Sequence, residues 1–187
     1  MNVFKNIEKF SSNIAVITEE SKKITYKELL IYSKKISNKI SNNTLVLIIC
    51  VNTLEFLQVY VGCTKAKIPM MFVDSEITEI AFKKLLLKYR PGYLYIPKNM
   101  NKLSNNFNRI YNNGIYALYK TDFNKIKLNK NLSLLLSTSG STGSAKYVKL
   151  SYKNISSNAI AISKYLKISS KDRSITTMKA NYTFGLS

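Results

Sequence analysis

The chain has 187 residues, 45% apolar and 21% charged, which fits a folded domain with a real core and excludes a disordered protein. Its net charge of +19 comes from 26 Lys and only 3 Arg, spread from Lys5 to Lys179 without a dense cluster. Histidine is absent, which excludes Ser-His-Asp and Cys-His catalysis and histidine-ligated metals from these residues. In chain order, apolar residues 14–17 and 24–25 flank the polar stretch 19–23 and predict a hairpin. Thr25 with Glu28 reads as a capping box opening a helix at Tyr26, with Leu29, Tyr32, Ile36 and Ile40 as its buried stripe. Residues 45–51 form an unbroken apolar run, as in a strand covered on both faces. Asn52 with Glu55 predicts a second capped helix to about Ala66. Residues 70–73 read as the next strand, Asp74 or Ser75 as the cap of a third helix reaching Lys88, and 92–96 as another strand.

Between 98 and 113, Asn and Lys dominate and only Phe107, Ile110 and Tyr111 have the character of anchors, so a surface crossover is expected. Residues 115–119 and 132–136 are further strands, with a polar connection between them. Ser151 caps a last helix whose Ile155, Ala159, Ile162 and Leu166 form one apolar face. This alternation of strands and helices predicts an α/β fold with a predominantly parallel sheet flanked by helices.

Cys50 and Cys63 match no zinc or redox spacing and read as small core residues, consistent with a reducing, cytoplasmic location. The first residues carry no apolar signal core, and the longest aliphatic run is too short to span a bilayer. A charge of +19 raises nucleic acid as a partner. Base and phosphate recognition favours arginine forks, however, and those are scarce here. Asn (20 residues) and Ile (21 residues) are abundant together with Lys, and all three share A+T-rich codons, so a compositional bias accounts for the charge. No specific nucleic-acid partner is expected.

The most informative segment is Leu-Leu-Leu-Ser-Thr-Ser-Gly-Ser-Thr-Gly-Ser-Ala-Lys-Tyr-Val, residues 134–148. An apolar strand runs into a loop of glycines and hydroxyls that ends on one lysine. Gly140 and Gly143 allow a sharp turn and close approach to a ligand. Ser139, Ser141 and Thr142 supply hydroxyls, and Lys146 supplies a positive charge. Those are the parts needed to hold a polyphosphate. A Walker A loop counted from Gly140 would need glycine at 145 and a hydroxyl at 147, where the chain has Ala145 and Tyr147. Walker A also opens a helix, whereas Tyr147-Val148-Lys149-Leu150 alternates like a strand. The remaining alternative is an ordinary Ser/Gly turn.

This loop resembles the phosphate-binding signature of the AMP-forming adenylate ligases: acyl-CoA synthetases, carrier-protein ligases and peptide-synthetase adenylation domains. Ile24-Thr25-Tyr26-Lys27-Glu28-Leu29 is similar to an early segment of the same family. The helix bearing Asn154 and Asn158 is similar to the one after the family's phosphate loop, and Tyr182-Thr183-Phe184-Gly185 to its aromatic segment ending on glycine. Family members usually have proline at the position of Ala145, glycine at that of Tyr147 and, in many, histidine at that of Tyr182.

The resemblance implies an N-terminal, partial AMP-binding domain over residues 1–187, the first subdomain of an adenylate-forming ligase large domain. The later part of that domain and the small lid domain are expected outside these residues. It further implies ATP and Mg²⁺ as cofactors, the Mg²⁺ ligand lying outside this segment, with a carboxylic acid and the thiol of CoA or a carrier protein as partners. The nucleotide cradle would be Thr138, Ser139, Gly140, Ser141, Thr142, Gly143 and Lys146, with Lys146 catalytic, and Tyr182, Phe184 and Gly185 would line the acid pocket. The expected function is ATP-dependent activation of a carboxylic acid as an acyl-adenylate, with residues 1–187 inactive by themselves. A non-catalytic nucleotide-binding module and a basic nucleic-acid-binding protein are the alternatives.

Overall fold

A computed structural model describes residue 4 and residues 6–123, 126–137 and 146–182. In chain order the elements are β1 (Ile14–Ile17), β2 (Lys23–Thr25), α1 (Tyr26–Ser37), β3 (Val46–Cys50), α2 (Leu54–Ala66), β4 (Met70–Asp74), α3 (Glu79–Tyr89) and β5 (Tyr93–Pro97). They continue with β6 (Asn108–Asn113), β7 (Tyr116–Lys120), β8 (Leu132–Ser137), β9 (Tyr147–Ser151) and α4 (Tyr152–Tyr165). β1 and β2 form the expected antiparallel hairpin. The other strands make one sheet in the order β6-β7-β5-β3-β4-β8-β9. Its centre is parallel, β5-β3-β4-β8, and its margins pair antiparallel.

Because alternate residues of a strand point to opposite faces, the apolar run of β3 can serve two helix layers at once. Val46, Ile48 and Cys50 pack with Ile36 of α1 and Val59 and Cys63 of α2. Leu47 and Ile49 pack with Phe82 and Leu86 of α3 on the other side. Both cysteines are buried and free. On the first face α1 lies against α2 at very short range: a Cβ on Gly62 would sit 2.3 Å from the Ser33 carbonyl oxygen, so only glycine fits there. Ser33 therefore occupies the centre of the α1 contact and Tyr32 turns outward, 44% exposed, a correction to the predicted stripe of which Leu29, Ile36 and Ile40 are buried.

The capping box of α1 is as the sequence predicts, with Glu28 N–H donating to Thr25 Oγ1 and Thr25 N–H donating to Glu28 Oε2. The caps of the next two helices differ from expectation. Thr53 caps α2 and Thr78 caps α3, leaving Asn52 and Asp74 for other contacts. The predicted crossover at 98–113 contains a short 3-10 helix, Lys98–Ser104, and the edge strand β6. Polar composition suits an edge strand, where exposed charge and amide groups discourage pairing with other chains. The apolar face of α4 is covered less than predicted: Ser156 is its one fully buried residue, and Leu166 is 60% exposed.

Candidate functional site

Two crossovers position the site. α2 follows β3 on one face of the sheet, while α3 follows β4 on the other, since β4 and β5 lie on opposite sides of β3. Chains leaving adjacent parallel strands toward opposite faces open a crevice at the carboxyl ends, the usual ligand position in such sheets. Here that switch point lies between the ends of β3 and β4. β8 flanks β4 in parallel and delivers its carboxyl end beside it.

The end of β3 is fixed by a buried tyrosine. The Tyr116 hydroxyl donates to the Ile49 carbonyl (2.7 Å) and accepts from the Val51 N–H (3.0 Å), satisfying backbone groups where the ladder stops. Its ring stacks on Tyr95 at 4.6 Å. The Tyr95 hydroxyl in turn accepts from Asn113, which also donates to Gln58. Burial pushes the phenols of Tyr95 and Tyr116 well above the ordinary tyrosine range, so both act as neutral props.

β8 and β9 form the strand-loop-strand unit read from the sequence. Their antiparallel register closes on Ser137 opposite Tyr147, so the intervening loop springs from the carboxyl end of β8. Lys146 is exposed and immediately precedes β9. A strand after the loop, where Walker A would have a helix, separates the two motifs structurally. The Tyr147 ring packs edge-on against Tyr89 of α3 at 5.4 Å, which accounts for a large side chain where the family usually has glycine. Thr138, Ser139, Gly140, Ser141, Thr142 and Gly143 lie outside the described residues, as do Phe184 and Gly185.

Tyr182 is described, 40% exposed, and the structure joins it to residues that sequence reading did not single out for function. Its hydroxyl donates to Asp74 Oδ2 at 3.2 Å. The same oxygen accepts from Asn181 Nδ2 at 3.0 Å. Asp74 Oδ1 accepts from the Glu76 N–H at 3.0 Å and from the Lys179 ammonium at 3.2 Å. Lys179 also pairs with Glu76 at 2.5 Å. Across the crevice, Asn52 Nδ2 donates to the Met178 carbonyl (2.7 Å) and Asn52 Oδ1 accepts from the Ala180 N–H (3.3 Å). The two residues predicted as helix caps therefore hold residues 178–182 over the ends of β3 and β4. The available signal was position: each is a polar side chain at the carboxyl end of a buried parallel strand, one or a few residues before a better Thr cap.

Burial alone would raise the Asp74 pKa, but the Glu76 N–H, Lys179 and Asn181 outweigh it and hold the carboxyl below its usual range. Lys179 is shifted upward, chiefly by its bond to Glu76. A depressed carboxylate contributes stability that is present above its unfolded pKa and lost as pH falls through the folded one. A raised ammonium contributes stability that is present below its unfolded pKa and lost as pH rises through the folded one. With unfolded values of roughly 3.9 and 10.4, the cluster is fully formed between about pH 5 and pH 9. The difference in thermal stability between the unaltered chain and Asp74→Asn should be level across that window and shrink in stronger acid. A difference that grows on acidification would contradict the assignment.

Among the described residues no three His, Cys, Asp or Glu come together to hold a metal ion, so none of them is assigned to Mg²⁺. No helix among the described residues is long and apolar enough to cross a membrane.

A sheet with a parallel centre and antiparallel margins, covered by helices on both faces, defines the class: an α/β fold whose core is predominantly parallel. The chain belongs to the AMP-binding enzyme family, which matches residues 3–187. Its fold is similar to ATP-bound MatB from Rhodopseudomonas palustris (TM-score 0.73, 17% identity, covering 100% of this chain and 42% of that one). It is also similar to o-succinylbenzoate CoA synthetase from Bacillus subtilis with its acyl-adenylate (TM-score 0.71, 16% identity, 100% and 52% covered). A third similar structure is VinN with 3-methylaspartate (TM-score 0.75, 16% identity, 96% and 55% covered). The chain spans between 38% and 55% of the length of such structures. No curated protein matches it.

Proposed function

We propose that this chain is the N-terminal part of an ATP-dependent, AMP-forming ligase that activates a carboxylic acid as an acyl-adenylate and passes the acyl group to a thiol. The observation that carries the proposal is the β8-loop-β9 unit, with Lys146 at its exit, beside the crevice between β3 and β4. Structures of similar fold hold ATP in MatB, an acyl-adenylate in the CoA synthetase and a carboxylic acid in VinN, which supports the same ligand classes here.

In the proposed reaction a carboxylate oxygen attacks the α-phosphorus of ATP. The bond to the bridging oxygen breaks, and pyrophosphate leaves with the electron pair. A thiolate of CoA or a carrier protein then attacks the acyl carbon and AMP departs. Negative charge accumulates on the β- and γ-phosphates during the first step. The hydroxyls of Thr138, Ser139, Ser141 and Thr142, the backbone around Gly140 and Gly143, and the Lys146 ammonium are the groups suited to stabilise it. Tyr182, with Phe184 and Gly185, is proposed to line the acid side of the crevice. Mg²⁺ would supply further phosphate neutralisation from a ligand outside these residues.

Residues 1–187 supply about half the length of the similar ligases, so turnover is expected only from a chain that also carries the later elements. ATP–pyrophosphate exchange with acetate, malonate, octanoate, benzoate and L-aspartate tests both parts. Exchange with at least one acid is expected from the complete ligase and none from residues 1–187. Nucleotide binding without exchange by the complete protein would establish the non-catalytic reading instead.

A further inference from the structure

Residues 178–182 form no helix or strand, so their position depends on what they touch. Ala180 contributes a small buried contact to the core, and Asn52 holds the backbone leading into it, at the Met178 carbonyl and the Ala180 N–H. The side chains are gathered by one group. The carboxylate of Asp74 accepts from Lys179, Asn181 and Tyr182, residues 105, 107 and 108 positions away in sequence. A donor from its own turn, the Glu76 N–H, completes the set. No other described carboxylate binds this segment so extensively. Glu76 touches it through Lys179 alone.

Asn181 carries a second observation that points to a ligand. The residue is 1% exposed, and its Nδ2 must face the Asp74 carboxylate, which cannot donate. The amide orientation is thereby fixed, and Oδ1 is left buried without a partner among the described residues. A buried acceptor in that state is costly, and a donor on a bound molecule would relieve it.

Resting on the ligase reading above, we propose that Asp74 is a positioning residue for acid binding: its carboxylate latches residues 179–182 across the ends of β3 and β4. The latch sets the Tyr182 ring at the crevice and turns Asn181 Oδ1 toward a hydrogen-bond donor of the substrate complex. Asp74 itself touches neither phosphate nor reacting atoms in this role. Loss of the latch should therefore weaken recognition of the acid and leave recognition of ATP nearly unchanged.

Two measurements test this. In residues 1–187, hydrogen exchange of the amides from 178 to 182 should quicken at least about tenfold in Asp74→Ala, with β3 and β4 unchanged, as expected when charge-assisted hydrogen bonds are lost. Unchanged exchange across the segment would overturn the latch without touching the ligase reading. In the complete ligase, with the acid from the panel that exchanges fastest, Asp74→Ala should raise the acid KM about 10–100-fold, and the ATP KM by less than about threefold. Asp74→Asn, which keeps the size and one acceptor oxygen, should fall between. Equal rises in both KM values, or none, would overturn the positioning role. If the unaltered ligase exchanges with no acid, the ligase reading and the pocket role both fail, and hydrogen exchange still decides whether the latch exists.

Discussion

Phe72→Ala should be the most destabilising single truncation on the α2 face of β4, with an expected loss of about 3–5 kcal/mol. Phe72 is fully buried at the middle of β4, opposite Ile48 of β3. Its ring meets Phe56 edge-on at 5.1 Å and Tyr60 at 5.9 Å, tying the strand to α2. Phe4 in turn packs edge-on against Tyr60 at 5.8 Å, so the cluster reaches back to the N-terminal segment. Removing the ring takes away its transfer free energy and leaves a cavity among aromatic neighbours that cannot close around it. For a domain of this size each kcal/mol corresponds to roughly 2–4 °C, so the thermal midpoint should fall by about 6–20 °C. Ile80→Ala is the control: Ile80 is 70% exposed on α3, and its truncation should change stability by no more than about 0.5 kcal/mol. A drop for Phe72→Ala no larger than that for Ile80→Ala would mean that the α2 face does not hold the sheet.

The same strand shows how far local sequence carries. The apolar runs of β3 and β4 announce themselves, because a strand buried on both faces needs apolar residues at every position and Gly, Pro or capping residues at its ends. The β8-loop-β9 unit is equally legible: glycines, hydroxyls and one lysine within a few residues describe a local chemistry. β6 is not legible in that way. Paired on one side only, it tolerates Asn and Arg at most positions and leaves no apolar alternation to read. Asn52 and Asp74 were legible as polar residues at strand ends but not by role. An amide or carboxylate there can cap the next helix or bind a distant segment, and local spacing favours the cap. Thr53 and Thr78 take the caps, and the side-chain partners of Asp74 and the backbone partners of Asn52 lie more than 100 residues downstream. Pairing over that distance depends on sheet order, which no local pattern encodes.

If the proposed ligase reading holds, Lys146→Ala in the complete protein should cut the rate of adenylation by about 10–1000-fold, the range for losing one preorganised electrostatic stabiliser. Lys146 stands at the entry to β9, next to Tyr147, whose ring is held by Tyr89. That arrangement anchors the backbone at the end of the loop while leaving the lysine exposed, as a residue acting on a ligand requires. Since charge grows on the departing pyrophosphate only as the Pα–O bond breaks, the loss should fall mainly on kcat, with KM for ATP moving less. Lys146→Arg keeps the charge but exchanges a compact ammonium for a planar fork, so it should recover part of the rate and not all of it. Thermal stability should change by no more than about 0.5 kcal/mol, the usual range for an exposed position. The decisive comparison is rate against stability in the same preparation. If Lys146→Ala melts much earlier and keeps its rate per folded molecule, the lysine serves the fold and the phosphate assignment is wrong. If it melts normally and loses the rate, the charge at the end of the β8-loop-β9 unit acts on the leaving phosphates.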